Sequence, residues 1–114
     1  MVAFVVGIGS YNSQRTLKNP VSDATAIKFC LQTQNVDVFD AFDCDINELR
    51  EQFDSFVAAL RPGDAAFLYF AGRGIVVNDS VRLVARSNAA KPDIETDALH
   101  LDVLIARSAT QYCD

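Results

Sequence analysis

Three short apolar runs, separated by polar and amphipathic segments, organise the chain. Val2–Ile8 and Ala65–Ala71 are apolar almost throughout, which is typical of strands buried on both faces of a parallel sheet. Val36–Phe42 alternates in part and includes acidic residues. We therefore expect Ala65–Ala71 at the centre of a sheet and Val36–Phe42 nearer its edge.

Two amphipathic segments connect these runs. In the second, Asp45 stands three residues before Glu48, an aspartate version of the capping box. Apolar residues follow at steps of three and four, and Arg61-Pro62-Gly63 ends the predicted helix. These apolar residues are Ile46, Leu49, Phe53, Phe56, Val57 and Leu60. In the first segment, Ser22 or Asp23 is placed to cap a helix. The expected buried face of that helix consists of Ala24, Ile27, Cys30 and Leu31.

The pattern after the third run is less regular. Ile75–Val77 and Val81–Ala85 flank Asn78-Asp79-Ser80, which predicts a small hairpin. Thr96–Ala109 favours a last helix, built around Leu101, Leu104 and Ile105. The order strand–helix–strand–helix–strand predicts an α/β fold with a mainly parallel sheet and right-handed crossovers. If the first strand is central, strand order 2-1-3 places the two helices on opposite faces.

Composition and charge exclude some classes of function for this chain. Half of the 114 residues are hydrophobic and 22% are charged, so we expect residues 1–114 to form a single globular domain. The net charge of -5 and the scattered basic residues argue against nucleic-acid and anionic-membrane surfaces. Val2–Ile8 is too short to span a bilayer and lacks a basic leader, which favours a strand over a signal peptide.

The cysteines give no sign of a metal or cofactor site. Cys30, Cys44 and Cys113 share no CxxC spacing, and His100 is the single histidine. Such a set is not a convincing zinc site, and we expect no cofactor. Reduced thiols of this kind favour a cytoplasmic protein.

Ligands of open α/β sheets bind at the carboxyl ends of the strands. The segments expected there are Gly7-Ile8-Gly9-Ser10, Asp43-Cys44 and Gly72-Arg73-Gly74. A dinucleotide site is disfavoured, because Asn12 replaces a glycine and no helix begins directly after the first strand. Acidic residues near these strand ends have two interpretations: they are solvated loop residues, or they form an acidic pocket like that of receiver domains. Its residues would be Asp40, Asp43 and Asp45.

Several segments match one known family in order. The early segments are Phe4-Val5-Val6-Gly7-Ile8-Gly9-Ser10-Tyr11 and Leu17-Lys18-Asn19-Pro20-Val21-Ser22-Asp23-Ala24. The later ones are Glu48-Leu49-Arg50, Leu60-Arg61-Pro62-Gly63-Asp64, Leu68-Tyr69-Phe70-Ala71-Gly72-Arg73-Gly74, Arg82-Leu83-Val84-Ala85 and Leu99-His100-Leu101-Asp102-Val103-Leu104. As an ordered set over roughly residues 2–107, they resemble the caspase-like peptidases, in particular the metacaspase, paracaspase and bacterial branches. The resemblance implies a three-layer α/β sandwich.

The resemblance also implies where the family's catalytic dyad would lie. Relatives carry a glycine–histidine–glycine turn after the strand that corresponds to Phe67–Ala71, and the histidine works with a cysteine on the next parallel strand. Here Arg73 takes the histidine position, between Gly72 and Gly74. A guanidinium stays protonated and has no acceptor atom, so it cannot exchange protons near neutrality.

The nucleophile strand of the family has no clear counterpart. The segment after Arg107 is Ser108-Ala109-Thr110-Gln111-Tyr112-Cys113-Asp114, which is too short and too polar for that strand. We therefore expect a domain truncated before the nucleophile strand. Cys113 is a weak candidate nucleophile, and a terminal thiol is the competing interpretation.

Other residues have a structural and a functional interpretation. The resemblance places Asp23 where metacaspases line a pocket for a basic side chain, with Gly72 and Gly74 beside it, whereas helix capping explains Asp23 equally well. His100 takes the position of a helix N-cap. Cys30 is expected in the core. Cys44 follows the second strand in an acidic loop, which disfavours thiolate formation.

The leading hypothesis is a catalytically inactive caspase-like domain that acts through protein binding. Its expected contact is the exposed edge of the Phe67–Ala71 strand, with a second copy or a complete caspase-like protein as partner. One alternative is a residual cysteine endopeptidase that cleaves after Arg or Lys, using Cys113 or Cys44 near Arg73. The other is a small-ligand-binding or receiver-like α/β domain.

Overall fold

A computed structural model describes residues 1–9, 20–77, 80–86 and 98–100. These residues form two helices and six strands, numbered here in chain order. They are β1 (Val2–Gly7), α1 (Pro20–Thr33), β2 (Asp37–Phe42), α2 (Ile46–Ala59), β3 (Ala66–Ala71), β4 (Arg73–Val77), β5 (Ser80–Val84) and β6 (Ala98–His100).

The first three strands form a parallel sheet in the order β2-β1-β3. Phe4 in β1 lies opposite Phe39 in β2 and Leu68 in β3. The α/β class and the strand order 2-1-3 are therefore confirmed. The expectation that Ala65–Ala71 is the sheet centre is wrong for the described chain, because β1 is the strand with neighbours on both sides. An apolar run predicts burial, but it does not specify which strands will pair with it.

The alternation of side chains along β1 divides the core into two layers. Ala3 and Val5 pack with Ala24 of α1 on one face of the sheet. Phe4 packs with Phe53 of α2 on the other face, within the larger cluster of buried residues. The two helices therefore cover opposite faces, as the strand order predicts.

Helix α1 begins earlier than expected, and its inward face includes Ala24, Ile27 and Leu31 as predicted but not Cys30. It starts at Pro20, a residue favoured at the first helical position, so Ser22 and Asp23 lie inside the helix and do not cap it. Ala24 is buried, whereas Cys30 is exposed. At about 100° per residue, Cys30 lies about 120° around the helix from Ala24, while Leu31 is nearly in line with it. The expected core position of Cys30 is therefore wrong.

Helix α2 follows its sequence prediction closely. Asp45 is the N-cap, and its Oδ1 accepts a hydrogen bond from the Glu48 backbone N–H at 2.9 Å. The buried face consists of Ile46, Leu49, Phe53 and Phe56, with Leu60 buried as the C-cap. Gly63, at φ +89°, makes the turn that follows, in a backbone region that favours glycine.

The remaining strands form a second, antiparallel sheet in the order β4-β5-β6. Val77 pairs with Ser80, so the predicted hairpin is confirmed. Ala98–His100 is extended and pairs with β5, which corrects the helix predicted over Thr96–Ala109 at its start. The rest of that prediction lies outside the described residues. No helix within the described ranges is long and apolar enough to cross a membrane.

Candidate functional site at the carboxyl ends of the parallel strands

Hydrogen bonds tie the carboxyl ends of the three parallel strands together. The Ile8 N–H donates to the Ala71 carbonyl at 2.9 Å, and the Asp43 N–H donates to the Gly7 carbonyl at 2.8 Å. Asp43 Oδ1 in turn accepts a bond from the Gly9 N–H at 2.8 Å. The connections after β1, β2 and β3 are therefore held in fixed relative positions, as expected of a site at this sheet edge.

Arg73 lies at this edge, directly after β3. The strand ends at Ala71, Gly72 forms a bend, and Arg73 opens β4 opposite Val84 of β5. The arginine is half-buried. A guanidinium here can hold a carboxylate or another acceptor, but it cannot remove a proton from a thiol or return one to a leaving amine.

Gly74 lies in a strand and not in the turn that the sequence suggests. It pairs with Leu83 in the β4–β5 ladder. A Cβ atom built on Gly74 would meet the Arg82 carbonyl oxygen at 3.9 Å, an ordinary contact. The space around Gly74 therefore does not require glycine.

Cys44 lies at the same edge, between β2 and α2, and its side chain is buried. The Arg86 N–H donates to the Cys44 carbonyl at 2.9 Å, so the end of β5 is joined to this connection. Burial, together with the negative charges of Glu48 and Asp45, raises the pKa of the Cys44 thiol from 9.0 to about 11. The acidic loop predicts a raised thiol pKa, and the structure has the same direction of shift, with burial as the larger cause.

The raised pKa of Cys44 predicts a loss of stability at high pH. An unfolded thiol ionises near pH 9, whereas the folded thiol keeps its proton up to about pH 11. The folded state thus binds more protons between these values, and the free energy of unfolding should fall by about 2–3 kcal/mol across them. Urea unfolding from pH 8.5 to 11 measures this fall.

Two cysteine variants separate this effect from other titrations. Cys44→Ala should remove this part of the decrease, and Cys30→Ala, which deletes an exposed thiol, should retain it. A pH dependence equal in Cys44→Ala and the unmodified chain would contradict the assignment.

The three aspartates near β2 have separate structural contacts. Asp40 pairs with Lys28 of α1 at 2.6 Å. Asp43 binds the Gly9 N–H, and Asp45 caps α2. Among the described residues, no group of three or more His, Cys, Asp or Glu side chains could hold a metal ion. The structure therefore gives no support to a receiver-like acidic pocket.

The other predicted site residues are distributed as follows. Asp23 is exposed in the first turn of α1, whose start packs against Gly7 at the end of β1. Its role in a substrate pocket stays a prediction. His100 is the last residue of β6, where its backbone pairs with Arg82. Cys113 lies outside the described residues.

Arg86 is the residue at this edge that the sequence analysis did not single out. Its backbone bridges to Asp45 and bonds to Cys44, although both lie about forty positions earlier in the chain. No local periodicity or spacing signals a contact of this kind, because it depends on how the β4–β5 hairpin docks on the parallel sheet.

Comparison with known protein families identifies the family of the chain. A model of the caspase domain family matches residues 1–106 of the chain. No curated protein sequence matches the chain significantly.

Proposed function

Because the chain belongs to the caspase domain family, we propose that it is a catalytically inactive member that acts by binding another protein. Arg73 carries this proposal. It stands directly after Gly72, at the carboxyl end of β3, and the resemblance to caspase-like relatives assigns their catalytic histidine to this position. An arginine there carries a permanent positive charge and has no group that transfers protons near neutrality.

The cysteines of the described chain do not replace the lost dyad. Cys44 lies at the correct sheet edge, but it is buried and its pKa is raised to about 11. Less than about one per cent of such a thiol is ionised at pH 7, and the thiolate is the nucleophilic form. Cys30 is exposed on α1, the helix that packs along β1.

The surface of β3 supports a binding role. Phe67 and Leu68 are 36% and 37% exposed, and β3 pairs with β1 alone among the described strands. The strand contains no charged residue and no proline that would discourage another strand from pairing. We propose that the protein partner binds the side of β3 that faces away from β1.

The same proposal includes the branch of the family, a preference for basic peptides and the location of the protein. We propose that the chain belongs to the metacaspase, paracaspase and bacterial branches of the family, which its segments around Asp23 and Arg73 resemble. Asp23, exposed in the first turn of α1, would then retain an affinity for basic peptide side chains without cleavage. The free thiols Cys30 and Cys44 support a reducing, cytoplasmic location.

A peptidase assay tests the inactivity. The purified chain, with reductant and with or without calcium, is incubated with fluorogenic peptides that have Arg, Lys or Asp before the cut bond. We expect turnover equal to that of the Arg73→Ala variant, because neither chain has a proton-transferring group at position 73. Turnover that co-purifies with the chain and is blocked by a thiol alkylator would contradict the proposal. Cys113→Ala and Cys44→Ala would then identify the nucleophile of a residual peptidase.

A further inference from the structure

Two consecutive residues after β2 hold the segments that follow β1 and β5. Asp43 bonds twice to the chain at the end of β1: its N–H donates to the Gly7 carbonyl, and its Oδ1 accepts a bond from the Gly9 N–H, both at 2.8 Å. The Cys44 carbonyl accepts a bond from the Arg86 N–H at 2.9 Å. The course of the chain at Asp43 therefore affects both contacts.

The backbone of Asp43 has a conformation that few side chains adopt. Its φ is +47°, in the left-handed region, where aspartate and asparagine are several times more common than most other non-glycine residues. The chain bends at this residue, so the side chain at position 43 meets Gly9 while the next carbonyl faces Arg86. A residue at this position thus needs both a tolerance of positive φ and a side-chain acceptor.

Arg86 extends this connection to the β4–β5 hairpin. It follows Val84, the last residue of β5, by two positions, and Val84 pairs with Arg73, the first residue of β4. Val84 and Ala85 are buried in the main core. Apolar contact is non-directional and specifies the position of a backbone less closely than a hydrogen bond does. The bond from Arg86 to Cys44 therefore fixes where the end of the hairpin that carries Arg73 lies.

We propose that Asp43 is a positioning residue of the candidate site, which holds the segment after β1 and the hairpin end with Arg73 in place together. Its carboxylate binds Gly9, and its left-handed backbone directs the Cys44 carbonyl to Arg86. The two contributions are separable by substitution. Glycine keeps the backbone conformation without the acceptor, and asparagine keeps both. This role does not depend on whether the site cleaves or only binds a peptide.

Amide hydrogen exchange of the full chain, measured by NMR, tests both contributions. In Asp43→Ala, which lacks the acceptor and disfavours positive φ, we expect the Gly9 and Arg86 amides to exchange at least about tenfold faster. In Asp43→Gly only the Gly9 amide should lose protection, and in Asp43→Asn both amides should keep it. The amide chemical shift of Arg73 should move in Asp43→Ala and stay in place in Asp43→Asn.

Asn35→Ala is the matched control for a general loss of stability. Asn35 is the other non-glycine residue with positive φ among the described residues, at +60°. It lies just after α1, where its N–H donates to the Gln32 carbonyl at 3.1 Å. Alanine there carries the same backbone penalty. The exchange of the Val5 amide, in the buried central strand, reports unfolding of the whole domain, and in Asn35→Ala the Gly9 amide should keep its rate relative to Val5.

Three results would each overturn the proposal. In Asp43→Ala, the Gly9 and Arg86 amides exchange no faster, relative to Val5, than in the unmodified chain. Alternatively, Asp43→Asn fails to protect them, or Asn35→Ala exposes them equally. If Asp43→Ala does not fold, the comparison of Asp43→Gly with Asp43→Asn decides, because only the second should protect Gly9. Peptidase turnover enters none of these measurements, so failure here leaves catalytic inactivity to its own assay.

Discussion

Phe56→Ala should lower the free energy of unfolding by about 3–5 kcal/mol, which is a large share of the stability of a small domain. Phe56 is fully buried on α2. Its ring stacks on Phe4 of β1 at 5.5 Å and approaches Phe53 and Phe39 at 6.1 and 6.5 Å. Truncation removes the apolar burial of Phe56 and leaves a cavity where β1, β2 and α2 meet. Urea unfolding followed by far-ultraviolet circular dichroism measures the change.

Phe29→Ala is the matched control for this variant, because it makes the same chemical change on the other helix. Phe29 is 61% exposed on α1, so its truncation should change the free energy of unfolding by no more than about 0.5 kcal/mol. Similar losses for Phe29→Ala and Phe56→Ala would contradict the assignment of Phe56 to the main core.

Gly7→Ala should destabilise the domain by about 1–3 kcal/mol or more, although it adds a single methyl group. A Cβ atom at position 7 would lie 2.7 Å from Ala24 Cβ and 2.8 Å from the Pro20 carbonyl oxygen. Neither group is the flexible end of a side chain, so the first turn of α1 must move away from β1. That movement would disturb the sheet edge where Asp43 binds Gly9. Thermal and urea unfolding measure the loss.

Two further variants show whether the close approach of α1 to Gly7 causes the destabilisation expected of Gly7→Ala. Gly74→Ala makes the same change where the added Cβ atom would lie 3.9 Å from its nearest neighbour, the Arg82 carbonyl oxygen, and it should be neutral or slightly stabilising. Ala24→Gly costs about 1 kcal/mol alone through helix propensity. It should cost less in the Gly7→Ala background, because it removes one of the two clashing groups. Strictly additive losses at positions 7 and 24 would argue against direct contact.

Two hydrogen bonds fix the connections at the carboxyl ends of the parallel strands. The Gly9 N–H donates to Asp43 Oδ1, and the Arg86 N–H donates to the Cys44 carbonyl. Neither of these two bonds involves the side chain at position 73, which the proposed function concerns.

The sequence by itself determined the secondary structure of the first sheet and singled out Arg73 as a candidate site residue. Apolar runs located β1, β2 and β3, and helical spacing with the Asp45 cap located α2, because these signals arise from neighbouring residues. With the first strand placed at the centre, the alternation of strands and helices and the right-handed crossover rule predict the order 2-1-3; that β1 and not β3 is the central strand was decided by the pairing in the structure. Arg73 was identified directly from its position between two glycines after an apolar run.

The tertiary structure alone decided which faces and edges are covered. Helical spacing sets Cys30 about 120° around α1 from Ala24, but the docking of α1 on β1 decides that the Ala24 side is buried and the Cys30 side exposed. The pKa of Cys44 depends chiefly on burial. Ala98–His100 is extended because its backbone pairs with β5. Each outcome depends on contacts between residues far apart in the chain, which local propensity and periodicity do not encode.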